Sequence, residues 1–165
     1  MSDMRHLRDP DRPLRSRSRR APMLRVQMVQ LVCEGSSPFL RRELRSAADV
    51  YATFRDLCAA ADREYFWTIL LNTKHKIIGV EEAAKGSLTS TIVHPREVYK
   101  SVILANAAAV IFVHNHPSGD PAPSREDLEI TRRLRDVGEL LGIRVLDHIV
   151  VGHDRYVSMV DDGYW

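Results

Sequence analysis

A chain of 165 residues has room for one compact domain with a real core and hardly for two. With 44% apolar and 28% charged residues, its composition is that of an ordinary soluble protein. The longest apolar stretch, around Ala107 to Val113, is far too short to cross a bilayer.

Charge is unevenly spread. Residues 1–22 hold seven Arg against Asp3, Asp9 and Asp11, a net of +4, which leaves −2 for residues 23–165 within a total of +2. The opening MSDMRHLRDPDRPLRSRSRR lacks the apolar core of a signal peptide. Cys33 and Cys58 are widely spaced and have no Cys-x-x-Cys partner, so reduced thiols and a cytoplasmic setting are the expectation. Residues 1–22 carry too few large apolar side chains to offset the entropy of ordering and read as a disordered tail. Such an Arg-rich tail can attract nucleic acid weakly by neutralising phosphates, or it can be a solvated extension without a partner. The slightly acidic body, residues 23–165, argues against a large nucleic-acid surface on the domain itself.

Along the body, residues 24–34 are rich in β-branched side chains and read as a first strand, punctuated by residues 36–38. Residues 46–61 place Val50, Phe54, Leu57, Cys58 and Ala61 at helical spacing, with Ser46 and Asp49 as a capping pair. Residues 65–71 are a continuous apolar run of strand length. A polar turn over 72–76 and a return strand over 77–84 complete a hairpin. Pro95 suits the first turn of a helix through Val98, Val102 and Ala105. Residues 110–113 form a short buried strand leading into His114. Residues 124–141 read as a long helix with Leu128, Leu134, Val137 and Leu141 on one face and Gly142 as its stop. Residues 143–152 and 156–159 are final strands. There is no internal repeat, and the pattern predicts an α/β fold with mixed strands around two or three helices. The order in which the strands pair is left open.

The chemistry concentrates in His114-Asn115-His116-Pro117-Ser118-Gly119-Asp120-Pro121-Ala122-Pro123-Ser124-Arg125-Glu126-Asp127. Residues i and i+2 of a strand share a face, so both imidazoles can reach one ion. Pro117 ends the strand, and a Gly- and Pro-dense loop carries the chain to a helix capped by Ser124. Asp127 then falls in the first helical turn, where its carboxylate can swing back to the strand end. Two His and one carboxylate leave a fourth tetrahedral position open, as catalytic zinc sites do. Taken alone, His-x-His is weak evidence, and Ser124-x-x-Asp127 is a capping box. Together they bring three ligands and a hydroxyl from neighbouring elements.

This segment resembles the JAMM motif of the JAB/MPN metalloprotease superfamily: His-x-His-Pro, a short spacer, then Ser-x-x-Asp. HPREVYKSVILANAA before it and LLGIRVLDHIVVG after it are similar to the RadC branch, over roughly residues 24–165. The resemblance implies a single JAB/MPN-like, cytidine-deaminase-like domain, with a mixed β-sheet packed between helices. It implies Zn2+ bound by His114, His116, Asp127 and a water, with Ser124 stabilising the oxyanion. It also implies an upstream Glu as general acid/base, and Glu64, near the start of a strand after the first helix, fits that description. Longer RadC proteins carry an N-terminal helix-hairpin-helix type module, and here an Arg-rich tail stands before the domain.

The implied chemistry is zinc-dependent hydrolysis by a metallopeptidase or isopeptidase, with a peptide or protein conjugate as substrate and no membrane partner. Zinc lowers the pKa of its bound water to roughly 7 and polarises the scissile carbonyl, while Glu64 moves the water proton to the leaving amine. A DNA-repair accessory or nucleic-acid-processing protein, with a structural or nuclease metal site, is the alternative, and a metal-stabilised module without turnover is a third. Asp147-His148 can orient a ligand or form a structural hydrogen-bonded pair. Gly119 can admit a substrate backbone or simply serve a turn. Asp120 reads as a turn residue and Glu97 as a helix N-terminal acid. Neither the substrate nor the oligomeric state can be read from these residues.

Overall fold

A computed structural model of the chain describes Phe39 and residues 42–86 and 93–165. The strand expected over residues 24–34, Cys33 and the Arg-rich tail lie outside the described residues.

Ser46 opens α1 (Ala47–Ala59) by accepting the Asp49 N–H, while the Asp49 carboxylate accepts the N–H of Arg45. Val50, Phe54 and Cys58, spaced four apart, form the buried stripe of α1. β1 (Tyr65–Leu71) and β2 (Ile77–Lys85) pair antiparallel across a turn in which the Asn72 side-chain oxygen accepts the N–H groups of Lys74 and Lys76. Pro95 begins α2 (Pro95–Leu104), where its missing N–H costs nothing, and His94 caps it by accepting the Arg96 N–H. β3 (Ala109–Asn115) follows, then α3 (Arg125–Leu141), β4 (Arg144–Val151) and β5 (Tyr156–Ser158).

The strands form one sheet in the order β2-β1-β3-β4-β5. β3 and β4 are parallel, with α3 as the crossover that parallel strands require, and the other pairs are antiparallel. One face packs on α1 through Val50, Phe54 and Cys58 with Trp67, Ile69 and Ile111. The other packs on α2 and α3 through Val98, Val102 and Leu134 with Phe66, Val110 and Phe112. β1 and β3 are therefore covered on both sides, which is why their sequences are continuous apolar runs rather than alternating ones. The architecture is the expected α/β one, a mixed sheet between helices.

α3 departs from its predicted face. Its buried positions are Asp127, Thr131, Leu134 and Gly138, whereas Leu141 is 44% exposed. Gly138 is what lets this face close in, because a Cβ there would run into Tyr99 Oη and the Ile143 carbonyl. Tyr99 Oη donates to the Leu134 carbonyl at 2.7 Å and fastens α2 to α3. Gly142 ends α3 at φ 70°, a left-handed cap.

A second irregularity lies between β3 and β4. Val110 faces Val145 but Ile111 faces Asp147, so Leu146 is an extra residue in β4. Strict alternation from Val145 would turn His148 to the α1 face. The bulge turns it to the other, opposite Phe112.

Because β1 runs against β3, the start of β1 lies beside the end of β3, with Phe66 opposite His114. The ends of β3 and β4 and the N-terminus of α3 meet at the same pole of the sheet. At the opposite pole lie the turns over residues 72–76, 105–108 and 142–143. No helix among the described residues is long and apolar enough to cross a membrane.

Candidate metal centre

His114 is the penultimate residue of β3, fully buried, and stacks beside Phe66. His116 lies just past the strand, yet its N–H still bonds the Val151 carbonyl, so it keeps the strand direction for one residue before Pro117. Its Nδ1 lies 2.7 Å from the Asp120 carbonyl. A carbonyl can only accept, so this nitrogen carries the proton. The two Nε2 atoms approach to 2.9 Å.

Asn115, between the two histidines, reaches toward β1. Its side-chain oxygen accepts the Tyr65 N–H and its amide donates to the Arg63 carbonyl, both at 2.8 Å. These bonds pin the residues on either side of Glu64, and they bring Glu64 to the site across a separation of fifty residues.

Asp127 enters from the first turn of α3. The capping box is complete: Ser124 Oγ accepts the Asp127 N–H, and Asp127 Oδ2 accepts the Ser124 N–H at 2.7 Å. Ser124 Oγ donates to the same Oδ2 at 2.6 Å, so its single proton is committed within the cap. Asp127 Oδ2 lies 3.4 Å from His116 Nε2, and Oδ1 lies 3.4 Å from His114 Nε2. Oδ1 is buried and has no hydrogen-bond partner. An orphaned carboxylate oxygen facing imidazole nitrogens costs free energy, and a cation satisfies it. The ligand atoms of Glu64, His114, His116 and Asp127 all lie within 4.8 Å of one another. The structure thus brings together the three expected ligands, the expected base and Ser124. The donor set, imidazole and carboxylate, suits a divalent ion such as zinc.

The charges at the site are mutually supporting. Burial alone would raise the Asp127 pKa, but contacts from His114, His116 and Ser124 outweigh it and hold the carboxyl well below the usual carboxylate range. His116 is shifted up, chiefly by its contact with Asp127 and against the effect of burial. His148 is shifted well down by complete burial and by the neighbouring His114.

Asp147 and His148 part company. The Asp147 carboxylate accepts the N–H groups of His148 and Val160 and the Ser158 hydroxyl, all at the β4–β5 end, and so serves structure. His148 contacts His114 instead, at 2.7 Å. Gly119 serves a turn, at φ 85°, where a Cβ would overlap the His153 ring and push apart the two loops that flank the site. Asp120 is a turn residue through its side chain, which accepts the Ala122 N–H. Its carbonyl has the further role of fixing the His116 proton. Glu97 pairs with Arg96 and Lys100 on the surface. Asn115 and Thr131 escape a reading of the sequence. The only signal for Thr131 is that it lies one helical turn beyond Asp127.

A family model for a "RadC-like JAB domain" matches residues 44–164. A "UPF0758 protein" of Syntrophotalea carbinolica is 50% identical over 141 residues, which are 82% of this chain and 62% of that protein. One of Methanosarcina acetivorans is 50% identical over 124 residues, 75% of this chain and 54% of that protein. One of Desulfitobacterium hafniense is 44% identical over 128 residues, 78% and 56% respectively. The chain therefore spans little more than half the length of these curated relatives. The matched region takes in every element from α1 to β5 and all four residues of the cluster, and the chain belongs to the RadC-like JAB domain family.

Proposed function

We propose that His114, His116 and Asp127 hold a zinc ion and that the site hydrolyses an amide or isopeptide bond in a peptide or protein conjugate. The observation that carries this reading is the buried, partnerless Asp127 Oδ1 among imidazole nitrogens, with a second carboxylate, Glu64, in the same cluster. Bound zinc would supply Lewis-acid polarisation and an activated water with a pKa of about 7. Glu64 takes the proton from the attacking water and delivers it to the leaving amine, at a site where Asn115 fixes the backbone on both sides of it. The Ser124 hydroxyl, released from Asp127 Oδ2, donates to the developing oxyanion. The Ser124 N–H remains on Asp127 and keeps the carboxylate in place.

Elemental analysis of the purified full chain is the test. About one zinc per chain is expected, with near-complete loss in His114→Ala and in His116→Ala. On a peptide or isopeptide substrate, Glu64→Gln should keep the zinc and lose at least ~100-fold in rate. Glu97→Gln, at a carboxylate paired with Arg96 and Lys100 outside the cluster, should lose little. A wild type without zinc, or a fully active Glu64→Gln, overturns the reading.

A further inference from the structure

We propose that Thr131 and His148 are positioning residues that set the tautomer of His114 and aim its bare Nε2 into the donor cluster. The purpose of that lone pair rests on the metal reading above, but the hydrogen-bond wiring does not.

The wiring follows from counting protons along a buried chain of contacts. Thr131 Oγ1 lies 2.6 Å from the Asp127 carbonyl and 2.6 Å from His148 Nδ1, and His148 Nε2 lies 2.7 Å from His114 Nδ1. His114 and His148 are fully buried and Thr131 is 4% exposed, so no water competes. A carbonyl accepts only, and a hydroxyl has one proton. Thr131 therefore donates to Asp127 and accepts from His148 Nδ1–H. The His148 ring is walled by Phe66 and Phe112, at centroid distances of 5.2 and 5.9 Å, and neither of its nitrogens meets a carboxylate. Such surroundings keep an imidazole neutral. With its proton on Nδ1, neutral His148 presents Nε2 as an acceptor. His114 Nδ1–H must then be the donor, so the neutral tautomer of His114 holds its lone pair on Nε2.

That bare nitrogen faces Asp127 Oδ1 at 3.4 Å and His116 Nε2 at 2.9 Å. The Asp120 carbonyl holds the His116 proton on Nδ1 in the same way. The two neutral tautomers are thus fixed by independent devices, and both turn lone pairs toward one point. The relay also closes on itself: it starts at the Asp127 carbonyl and ends beside the Asp127 carboxylate. The bulge at Leu146 makes it possible, since it turns His148 to this face. In the reverse wiring, His148 would carry its proton on Nε2 and drive the His114 proton onto Nε2, into the cluster. One hydroxyl, that of Thr131, decides between the two.

The test has a metal-free arm and a metal arm, both on the full chain. In the metal-free protein labelled with 15N-histidine, long-range 1H–15N correlations report which ring nitrogen carries each proton. His114 and His148 are both expected to be protonated on Nδ1. In the second arm, Zn2+ affinity is measured by chelator competition for the wild type, Thr131→Val and Thr131→Ser. Valine keeps the shape but removes the hydroxyl, and should weaken Zn2+ binding by about 10–100-fold, with serine restoring it. A bare Nδ1 on either imidazole, with the proton on Nε2 instead, overturns the proposal in the metal-free wild type, whether or not Thr131→Val folds. So does wild-type Zn2+ affinity in a folded Thr131→Val. A wild type that binds no Zn2+ defeats the proposed function instead, and the metal-free spectra still decide the relay.

Discussion

If His116 holds the proposed metal ion, a proton and that ion compete for the same nitrogen. Asp127, 3.4 Å away, raises the His116 pKa against the opposing effect of burial. In the metal-free protein the His116–Asp127 pair therefore stabilises the fold fully below the unfolded histidine pKa, and that contribution is lost as pH rises through the elevated folded value. Metal binding has the opposite dependence, because the ion must displace the proton. Zn2+ affinity, followed by chelator competition between about pH 6 and about pH 9, should rise with a slope near one proton per ion and level off above the His116 pKa. A flat profile would show that His116 is not a ligand. The residues of this site divide by reach. His114, His116, Ser124 and Asp127 are legible in the sequence because they lie within one short segment whose strand and cap geometry is local. Glu64 is legible only through the family resemblance, since no local pattern marks it. Asn115 acts on a residue fifty positions away and Thr131 on one seventeen away, and nothing in the sequence announces either contact.

The N-terminus of α3 carries two duties on one hydroxyl. As a cap, Ser124 accepts the Asp127 N–H; as proposed, it also serves the oxyanion. Substitution separates these, because alanine at an N-cap costs about 1 kcal/mol whereas glycine costs only a few tenths. Ser124→Ala should lower stability by about 1 kcal/mol and Ser124→Gly by much less in chemical denaturation. Both should lose about 100-fold or more in hydrolysis, the scale of a missing oxyanion donor. Activity that follows stability, with glycine near wild type, would confine Ser124 to the cap. Helix and strand positions are largely legible because their signals are local: Ser46 and Ser124 as caps, Pro95 in a first turn, Gly142 as a stop. The inward face of α3 is not, since Asp127, Thr131 and Gly138 look like surface residues until the cluster and Tyr99 give them partners. The bulge in β4 is equally silent, as no Gly or Pro marks Leu146. Strand order depends on contacts between distant segments, which periodicity does not encode.

For the whole molecule, charge and chemistry sit in different places. Removing residues 1–22 takes the net charge from +2 to −2. Any binding of duplex DNA by the full chain should be weak, unspecific and steeply dependent on salt, because it rests on phosphate neutralisation by that segment. Fluorescence anisotropy at two salt concentrations should show this binding vanish on deletion, with zinc content unchanged. Affinity that survives the deletion would instead place a nucleic-acid surface on residues 23–165. Within the domain, the division between the two poles of the sheet has a practical side. All four residues of the cluster lie at one end of β1 and β3, and the Asn72–Lys76 turn lies at the other, roughly 20 Å away at about 3.3 Å per strand residue. Thr73 and Lys74 are exposed at the tip of that turn, and lengthening such a loop costs only about 0.6 kcal/mol per doubling. This tip is the natural attachment point for an inserted epitope, a fluorophore or a surface tether, a handle that leaves the working end of the molecule facing freely into solution.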